Sequence, residues 1–163
     1  MLILNLCIFI HLKDSGYVEE CKKAVAPENV NLEIIELKNG TDFKLPEKKD
    51  VAVITDDPFM AETLTKQKNS HLDIIYRGNM ADIALFADKI SDVLNPNESY
   101  AQALWHMAHV ISGIKTKFDA WGYAHLLDDA ISVTPDMMWF KREDGIHTMV
   151  NPAFCDTVDK TRE

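Results

Sequence analysis

Four apolar runs of strand length alternate with segments of helical spacing in the first 95 residues. The runs lie at residues 2–10, 32–37, 51–55 and 72–76, and none shows regular polar alternation. Strands of this kind are typical of a parallel sheet that is covered on both faces. Strands that alternate with helical patterns also indicate β/α units. The pattern therefore predicts an α/β fold with a small parallel sheet and flanking helices.

Each predicted helix of this region follows residues that can cap it, and in chain order these are Asp14 or Ser15, then Asp57, then Asn79. Asp57 precedes Pro58, and a capping residue followed by proline at the first helical position favours a helix start over residues 59–68. The third helix is predicted over residues 80–94, where apolar residues recur at i, i+3, i+4 and i+7. Residues 38–49 are too polar and too short for a helix, so we expect one irregular crossover.

The pattern changes at residue 98, where a long helical segment begins. Ser99 and Gln102 form an S-x-x-Q capping box, and no proline follows until Pro135. Six apolar residues then form one stripe, defined here as the α-stripe: Leu104, Met107, Ile111, Ile114, Phe118 and Trp121. Their spacing by three and four is the a/d pattern of a coiled coil. The phase changes near Gly122, which is compatible with one helix containing a stutter or with two helices in line.

Two surfaces can cover the α-stripe: the α/β domain of the same chain, or the same helix in a second copy. Residues 99–121 span about 34 Å as a helix. A domain of about 95 residues is roughly 25–30 Å across. The comparison favours the second copy and predicts a parallel homodimer whose seam contains at least Ile111, Ile114 and Phe118.

Composition narrows the classes of partner. The chain has 163 residues, of which 47% are hydrophobic, and 17 Lys and Arg against 26 Asp and Glu give a formal net charge of −9. Nucleic-acid affinity rests mainly on clustered Lys and Arg, so we expect no nucleic-acid partner. The three widely spaced cysteines include no CxxC pair, which favours reduced thiols in a cytoplasm. The apolar start lacks the basic segment of a signal peptide and the length of a membrane span, so no membrane partner is predicted.

Motifs of catalysis and cofactor binding are lacking from the sequence. It contains no GxGxxG or GxxxxGK[ST] phosphate loop, no nucleophile elbow and no HExxH. His106 and His109 have the i, i+3 spacing of a metal site, but no carboxylate or cysteine at helical spacing completes a ligand set. We interpret the two histidines as the polar side of an interaction helix. The sequence predicts no enzyme activity, no cofactor and no metal for this chain.

Polar and charged residues follow the predicted strands, at the edge where the carboxyl ends of parallel strands meet. They are His11, Lys13, Asp14, Lys38, Asn39, Asp56, Asp57, Arg77 and Asn79. Four of them are candidates for a loop that binds a small anionic or polar ligand, defined here as the candidate ligand loop: Asp56, Asp57, Arg77 and Asn79. They do not form a recognisable catalytic constellation.

The order of the predicted elements in residues 1–95 resembles a receiver domain, the flavodoxin-like input module of bacterial signalling. A receiver holds a metal ion with an acidic pair after its first strand, where this chain has His11 and Leu12. It also carries an aspartate after its third strand, a place that Asp56 or Asp57 fills if residues 51–55 are the third strand. The pattern of residues 51–94 favours the alternative that they are the last two units, in which Thr55 takes the place of the switch hydroxyl, Arg77 stands where a lysine is expected, and the phospho-acceptor strand is missing. The resemblance implies a degenerate receiver, in which we interpret Asp57 as a helix cap.

The C-terminal sequence carries the most specific motif. Residues 130–141 read A-I-S-V-T-P-D-M-M-W-F-K, followed by D-G-I-H at 144–147 and V-N-P-A-F-C at 150–155. The D-G pair suits a hairpin turn, and Asn151 with Pro152 suits a helix start. The succession resembles the opening of a PAS domain, in the form found before diguanylate cyclase (GGDEF) domains of bacterial signalling proteins.

These patterns predict three parts of the chain: a receiver-like α/β domain over 1–97, a coiled-coil signalling helix over 98–134, and the N-terminal fragment of a PAS domain over 135–163. The resemblance implies a non-catalytic sensory, regulatory and dimerisation region. It also implies that this region controls a diguanylate cyclase, the enzyme of cyclic di-GMP synthesis, located downstream in the same protein. The alternative is a small α/β ligand-binding protein or enzyme whose helical tail oligomerises it.

Overall fold

The structure is a computed structural model that describes residues 2–38, 44–47, 49–67 and 71–161. The chain divides into two compact units, Met1–Thr116 and Lys117–Glu163. The division falls inside helix α3 (Tyr100–Ser132), which contributes its first half to one unit and its second half to the other. None of the helices in the described ranges has the length and apolar content that crossing a membrane requires.

A five-stranded parallel sheet forms the first unit. Its strands are β1 (Leu4–His11), β2 (Val30–Glu36), β3 (Asp50–Thr55), β4 (Leu72–Arg77) and β5 (Asp92–Leu94). They are hydrogen-bonded in the order β2-β1-β3-β4-β5, and every pairing is parallel. The predicted α/β fold with a small parallel sheet is confirmed.

The core of this unit lies on both faces of the sheet. In β1, the alternate residues Leu6, Ile8 and Ile10 are completely buried, and Cys7 and Phe9 between them are buried as well. Cys7 and Phe9 pack in a cluster with apolar residues of the neighbouring strands and of the segment after β3. A strand that is buried on both sides gains from apolar residues at every position, which explains the absence of polar alternation.

Two helices flank the sheet, α1 (Ser15–Cys21) and α2 (Pro58–Thr65), and both begin at predicted caps. The Asp14 carboxylate accepts a hydrogen bond from the backbone N–H of Tyr17 at 3.1 Å. The Asp57 carboxylate accepts one from Phe59 at 2.9 Å. Residue 68, the end of the predicted second helix, lies outside the described residues. In the predicted irregular crossover, residues 38, 44–47 and 49 are described and are not helical.

The predicted helix over residues 80–94 is wrong. This segment instead forms two short 3₁₀ helices, Met80–Ile83 and Ala87–Lys89, and then β5. The backbone N–H of Ser91 donates to the Ile74 carbonyl at 2.7 Å, which draws the chain alongside β4. The backbone groups that pair with β4 are then unavailable to a helix, so sheet pairing prevails over helical spacing.

Helix α3 is one continuous element of 33 residues, as the first of the two sequence interpretations proposed. The Gln102 side chain accepts a hydrogen bond from the Ser99 backbone N–H at 2.9 Å, as in a capping box.

The middle of the α-stripe is buried within the first unit. Met107 and Ile111 are each 1% exposed and Ile114 is 6% exposed. The α/β unit of the same chain is therefore their cover, the alternative that the length comparison disfavoured. A dimer seam through Ile111 and Ile114 would have to draw both side chains out of this core. Leu104 and Trp121 are exposed by 38% and 53%.

The second unit contains an antiparallel hairpin, β6 (Trp139–Lys141) and β7 (His147–Val150), and helix α4 (Pro152–Val158). Gly145 in the turn has φ of +87°, a conformation that side chains disfavour and glycine adopts freely. The predicted hairpin and helix start are confirmed.

Candidate functional site

The strand order reverses between β1 and β3, because the chain leaves β1 towards one edge of the sheet and β3 towards the other. Ligands of open α/β sheets bind in the crevice outside the carboxyl ends of the strands at such a switch point. Here β1 ends at His11 and β3 ends at Thr55. The loops that follow these two residues are therefore the first place to look for a site.

Direct contacts join the two loops at this switch point. His11 Nδ1 lies 3.2 Å from the Thr55 hydroxyl, which is completely buried and also accepts a hydrogen bond from the Asp57 backbone N–H at 3.0 Å. The Lys13 backbone N–H donates to Asp56 Oδ2 at 2.9 Å. The polar groups of the two loops thus serve to hold the loops together.

The two aspartates of the candidate ligand loop have separate local roles. Asp57 caps α2, as expected, whereas Asp56 bonds the loop after β1 and keeps its Oδ1 atom buried without a hydrogen-bond partner in the described structure. Because β3 is the third strand of the sheet, Asp56 directly follows a third strand. The alternative in which residues 51–94 form only the last two units is wrong, since that stretch contains β3, β4 and β5. Within the described ranges, no group of three or more His, Cys, Asp and Glu side chains could hold a metal ion.

The other two members of the candidate ligand loop, Asn79 and Arg77, differ in burial and in their contacts. Asn79 is exposed and its side chain does not cap the 3₁₀ helix that follows. Arg77, at the end of β4, is only 6% exposed and donates to the Pro96 carbonyl at 2.9 Å and to Asp14 Oδ2 at 3.4 Å. The guanidinium carbon also lies 4.2 Å from the centroid of the Tyr17 ring, a cation–π contact. Asn39 lies outside the described residues.

Arg77 belongs to a polar group at the start of α3 that we name the anchor cluster: Asp14, Tyr17, Arg77, Glu98, Tyr100 and His106. His106 Nδ1 lies 2.7 Å from Glu98 Oε2 and 3.2 Å from the Tyr17 hydroxyl. The second oxygen of Glu98 accepts a hydrogen bond from the Asn95 backbone N–H at 3.3 Å. The cluster therefore connects α1, the end of β4 and the segment that leads into α3.

Asp14 is the member with the most partners. Burial acts to raise its pKa, but the hydrogen bonds from the Tyr17 backbone and the Tyr100 hydroxyl, with the charge of Arg77, hold the pKa below its ordinary value of 3.8. The Tyr100 ring lies against Gly16, where an added Cβ would come within 2.7 Å of the ring. Burial raises the pKa of the Tyr17 hydroxyl, which therefore stays protonated at neutral pH.

Sequence reasoning did not bring these residues together. His106 was interpreted as part of the polar side of an interaction helix, and its contacts with Tyr17 and with Glu98, which lies just before the helix, were not predicted. Tyr17 is completely buried, and its hydroxyl contact with His106 spans 89 positions of sequence. Hydrophobic periodicity within one helix or strand gives no information about a contact between two residues this far apart in sequence.

The second unit is organised around Asn151, which is completely buried. Its Oδ1 atom accepts hydrogen bonds from the backbone N–H groups of Met138 at 2.9 Å and Phe154 at 3.0 Å. Its amide nitrogen lies within hydrogen-bond distance of three carbonyls, those of Ile131 (3.1 Å), Thr134 (3.4 Å) and Asp136 (2.8 Å). One side chain therefore caps α4 and also ties the hairpin to the end of α3.

The second unit contains a cavity of about 520 Å³, and the residues that line it fall between positions 124 and 161 of the sequence. Its lining includes His125, His147 and Lys160 beside apolar side chains, and the His147 ring meets the Phe154 ring edge-on at 5.4 Å. The ligand-binding alternative called for a pocket at the carboxyl ends of the strands, whereas this cavity is in the other unit.

Comparison of the chain with protein-family models, with curated proteins and with solved structures finds no match.

Proposed function

We propose that this chain is the non-catalytic sensory or regulatory region of a bacterial signal-transduction protein and controls a downstream diguanylate cyclase. The observation that carries the proposal is the course of α3, which begins in the α/β unit and ends in the unit with the PAS-like sequence. A continuous helix that belongs to both units can serve as a mechanical link between an input and an output. The motif at 130–155 supplies the connection to cyclases.

The α/β unit supports the input role through its topology. The order β2-β1-β3-β4-β5 is that of flavodoxin-like doubly wound sheets, the class to which receivers belong. A phosphoryl group on an aspartate needs a divalent ion to neutralise its charge, and His11 and Leu12 stand where the receiver pattern has its acidic pair. We therefore propose a degenerate receiver that acts through packing and polar contacts in place of phosphotransfer.

The second unit supports the PAS resemblance through Asn151. The asparagine of the V-N-P-A-F-C motif binds the backbone before the hairpin, at Ile131 and Met138, as well as the first turn of α4. A residue with this many buried hydrogen bonds explains why the motif needs asparagine at that position.

Dimerisation through α3 is part of the same proposal, because diguanylate cyclases act as dimers in which two GTP-loaded domains face each other. The buried members of the α-stripe already serve the α/β unit, so the exposed Leu104 and Trp121 and the half-buried Phe118 are the members of the stripe that remain accessible for a second copy. A cytoplasmic location stays a prediction of the sequence.

The proposal predicts that catalysis requires sequence beyond Glu163. The purified 163-residue chain is expected to produce no cyclic di-GMP from GTP, whereas a protein extended along its reading frame is expected to produce it. Product formation is measured by chromatography with magnesium and GTP present. A reading frame that closes at Glu163, or an extended protein without turnover, would contradict the cyclase assignment.

A further inference from the structure

The anchor cluster has no part in catalysis or ligand binding in the account above, yet it contains Arg77, the one charged residue among the buried residues of the described ranges. We propose that it is a conformational latch, in which Arg77 is the positioning residue that holds the first two turns of α3 on the sheet. The existence of the latch is independent of the proposed function, whereas its use in controlling an output domain rests on that function.

Arg77 joins three parts of the first unit at once. Its guanidinium bonds the Pro96 carbonyl in the segment before α3, pairs with Asp14 at the cap of α1, and lies over the ring of Tyr17. A buried charge is costly unless it is paired, so each of these contacts favours the arrangement in which the segment before α3 stays close to β4. Arg77 therefore acts on the helix through its neighbours.

A second chain of contacts leads from Tyr17 into the helix itself. The Tyr17 hydroxyl approaches His106 Nδ1 at 3.2 Å, and Glu98 Oε2, which is buried without a hydrogen-bond partner in the described structure, lies 2.7 Å from the same nitrogen. Tyr100, in the first turn, shares a hydrogen bond with Asp14. The first two turns of α3 are thereby attached to α1 and to the preceding loop by polar groups.

The later turns of α3 in the first unit are held in another way. Met107, Val110, Ile111 and Ile114 are buried apolar side chains, whereas Ala103 is the one buried residue of that kind between 100 and 106. Apolar packing is insensitive to the loss of a single polar partner. Opening of the cluster is therefore expected to release residues 97–106 and to leave residues 107–114 in place.

The contacts of the latch are also looser than those of a fully satisfied ion pair. The Arg77–Asp14 contact is a single one at 3.4 Å, and the Arg77 Nε atom is buried without a hydrogen-bond partner in the described structure. Bidentate arginine–carboxylate pairs form two bonds of about 2.7–2.9 Å. An incompletely paired buried arginine favours a cluster that can open.

Hydrogen–deuterium exchange of the whole chain, read by mass spectrometry, tests the latch. Replacing Arg77 with methionine is expected to speed exchange in residues 97–106 by about tenfold or more, and in 107–114, β1 and β3 by less than about twofold. The matched control is Lys49→Met, which removes a cation paired with Glu33 elsewhere in the same unit and should leave 97–106 unchanged. Tyr17→Phe removes only the hydroxyl that contacts His106. This variant is used in the same exchange experiment if Arg77→Met does not fold.

A spectroscopic readout separates positioning from general stability. Trp105 stacks on the His109 ring at 5.4 Å and meets the His106 ring at 4.9 Å. In a background with Trp121→Phe and Trp139→Phe, its fluorescence is expected to change in Arg77→Met, partly recover in Arg77→Lys, and stay constant in Lys49→Met. Equal acceleration of exchange over the whole first unit, or no acceleration at 97–106 in either variant, would overturn the proposal. Neither readout depends on cyclase activity.

Discussion

Replacing Ile111 with glutamate is expected to unfold the α/β unit. Ile111 is 1% exposed, and deleting a buried isoleucine side chain alone costs about 2–5 kcal/mol. Glutamate adds the cost of burying a charge without a partner. The total approaches the stability of a typical domain, about 5–15 kcal/mol. Circular dichroism and amide NMR spectra of the variant are expected to lose the signals of the folded sheet.

The next residue of the helix supplies a matched control. Ser112 is exposed, so Ser112→Glu introduces the same charge one position away and is expected to keep the wild-type melting temperature within a few degrees. A folded Ile111→Glu variant that changes only from dimer to monomer would show that this residue lies in a seam between two copies. That result would support the coiled-coil interpretation that the spacing of the α-stripe indicates.

Replacing Asn151 with aspartate is expected to disrupt the second unit. The change keeps the shape of the side chain but replaces an amide donor that faces three carbonyls with a carboxylate oxygen. Each buried polar group that loses its partner costs about 1–3 kcal/mol, and the new oxygen also repels the carbonyls. We expect a loss of about 3 kcal/mol or more, which is a large share of the stability of so small a unit.

The indole N–H signals of the NMR spectrum report this change directly. The Trp139 side chain is 49% exposed, but its ring packs 5.5 Å from the Phe154 ring in the second unit, so loss of this contact is expected to shift its signal from the wild-type position. Asn79→Asp makes the same chemical change at an exposed asparagine without a capping bond, and it should leave all three signals in place. A Trp139 signal that is unchanged in Asn151→Asp would show that the hydrogen bonds of Asn151 do not hold the hairpin.

The features that the sequence predicted correctly depend on local chemistry. Asp14, Asp57 and Asn151 cap helices because a short polar side chain can reach the free N–H groups of the first turn. The strands were recognisable because burial on both faces requires continuous apolar runs. These patterns are complete within a few residues of sequence.

The features that the sequence predicted wrongly depend on tertiary contacts. Spacing shows which residues of α3 are apolar, but not which surface covers them. The length comparison used residues 99–121, whereas the buried positions of α3 in the first unit run from Ala103 to Ile114, about 18 Å of helix, which a domain of this size can cover. In the same way, pairing with β4 determines the conformation of residues 92–94 against their helical spacing.

The anchor cluster was beyond local reasoning for the same cause. Arg77 was selected as a ligand-loop residue because of its place after a strand, and its partner Asp14 lies 63 positions away. Arg77 of the candidate ligand loop thus lies in the anchor cluster, and its role as a ligand-loop residue stays a prediction. Only the fold shows that the arginine meets α1 and the start of α3.

The central claim is that α3 transmits the conformational state of the α/β unit to an output domain. Insertions that rotate the second half of the helix about its axis test this claim most directly. Two alanines inserted between Thr116 and Lys117 turn the following helix by about 200°, whereas seven inserted residues turn it by about 20° in the opposite sense. In the protein extended along its reading frame, the rate of cyclic di-GMP synthesis is expected to change by about tenfold or more with two residues and by less than about twofold with seven. Equal rates for both insertions and the wild type would contradict the claim.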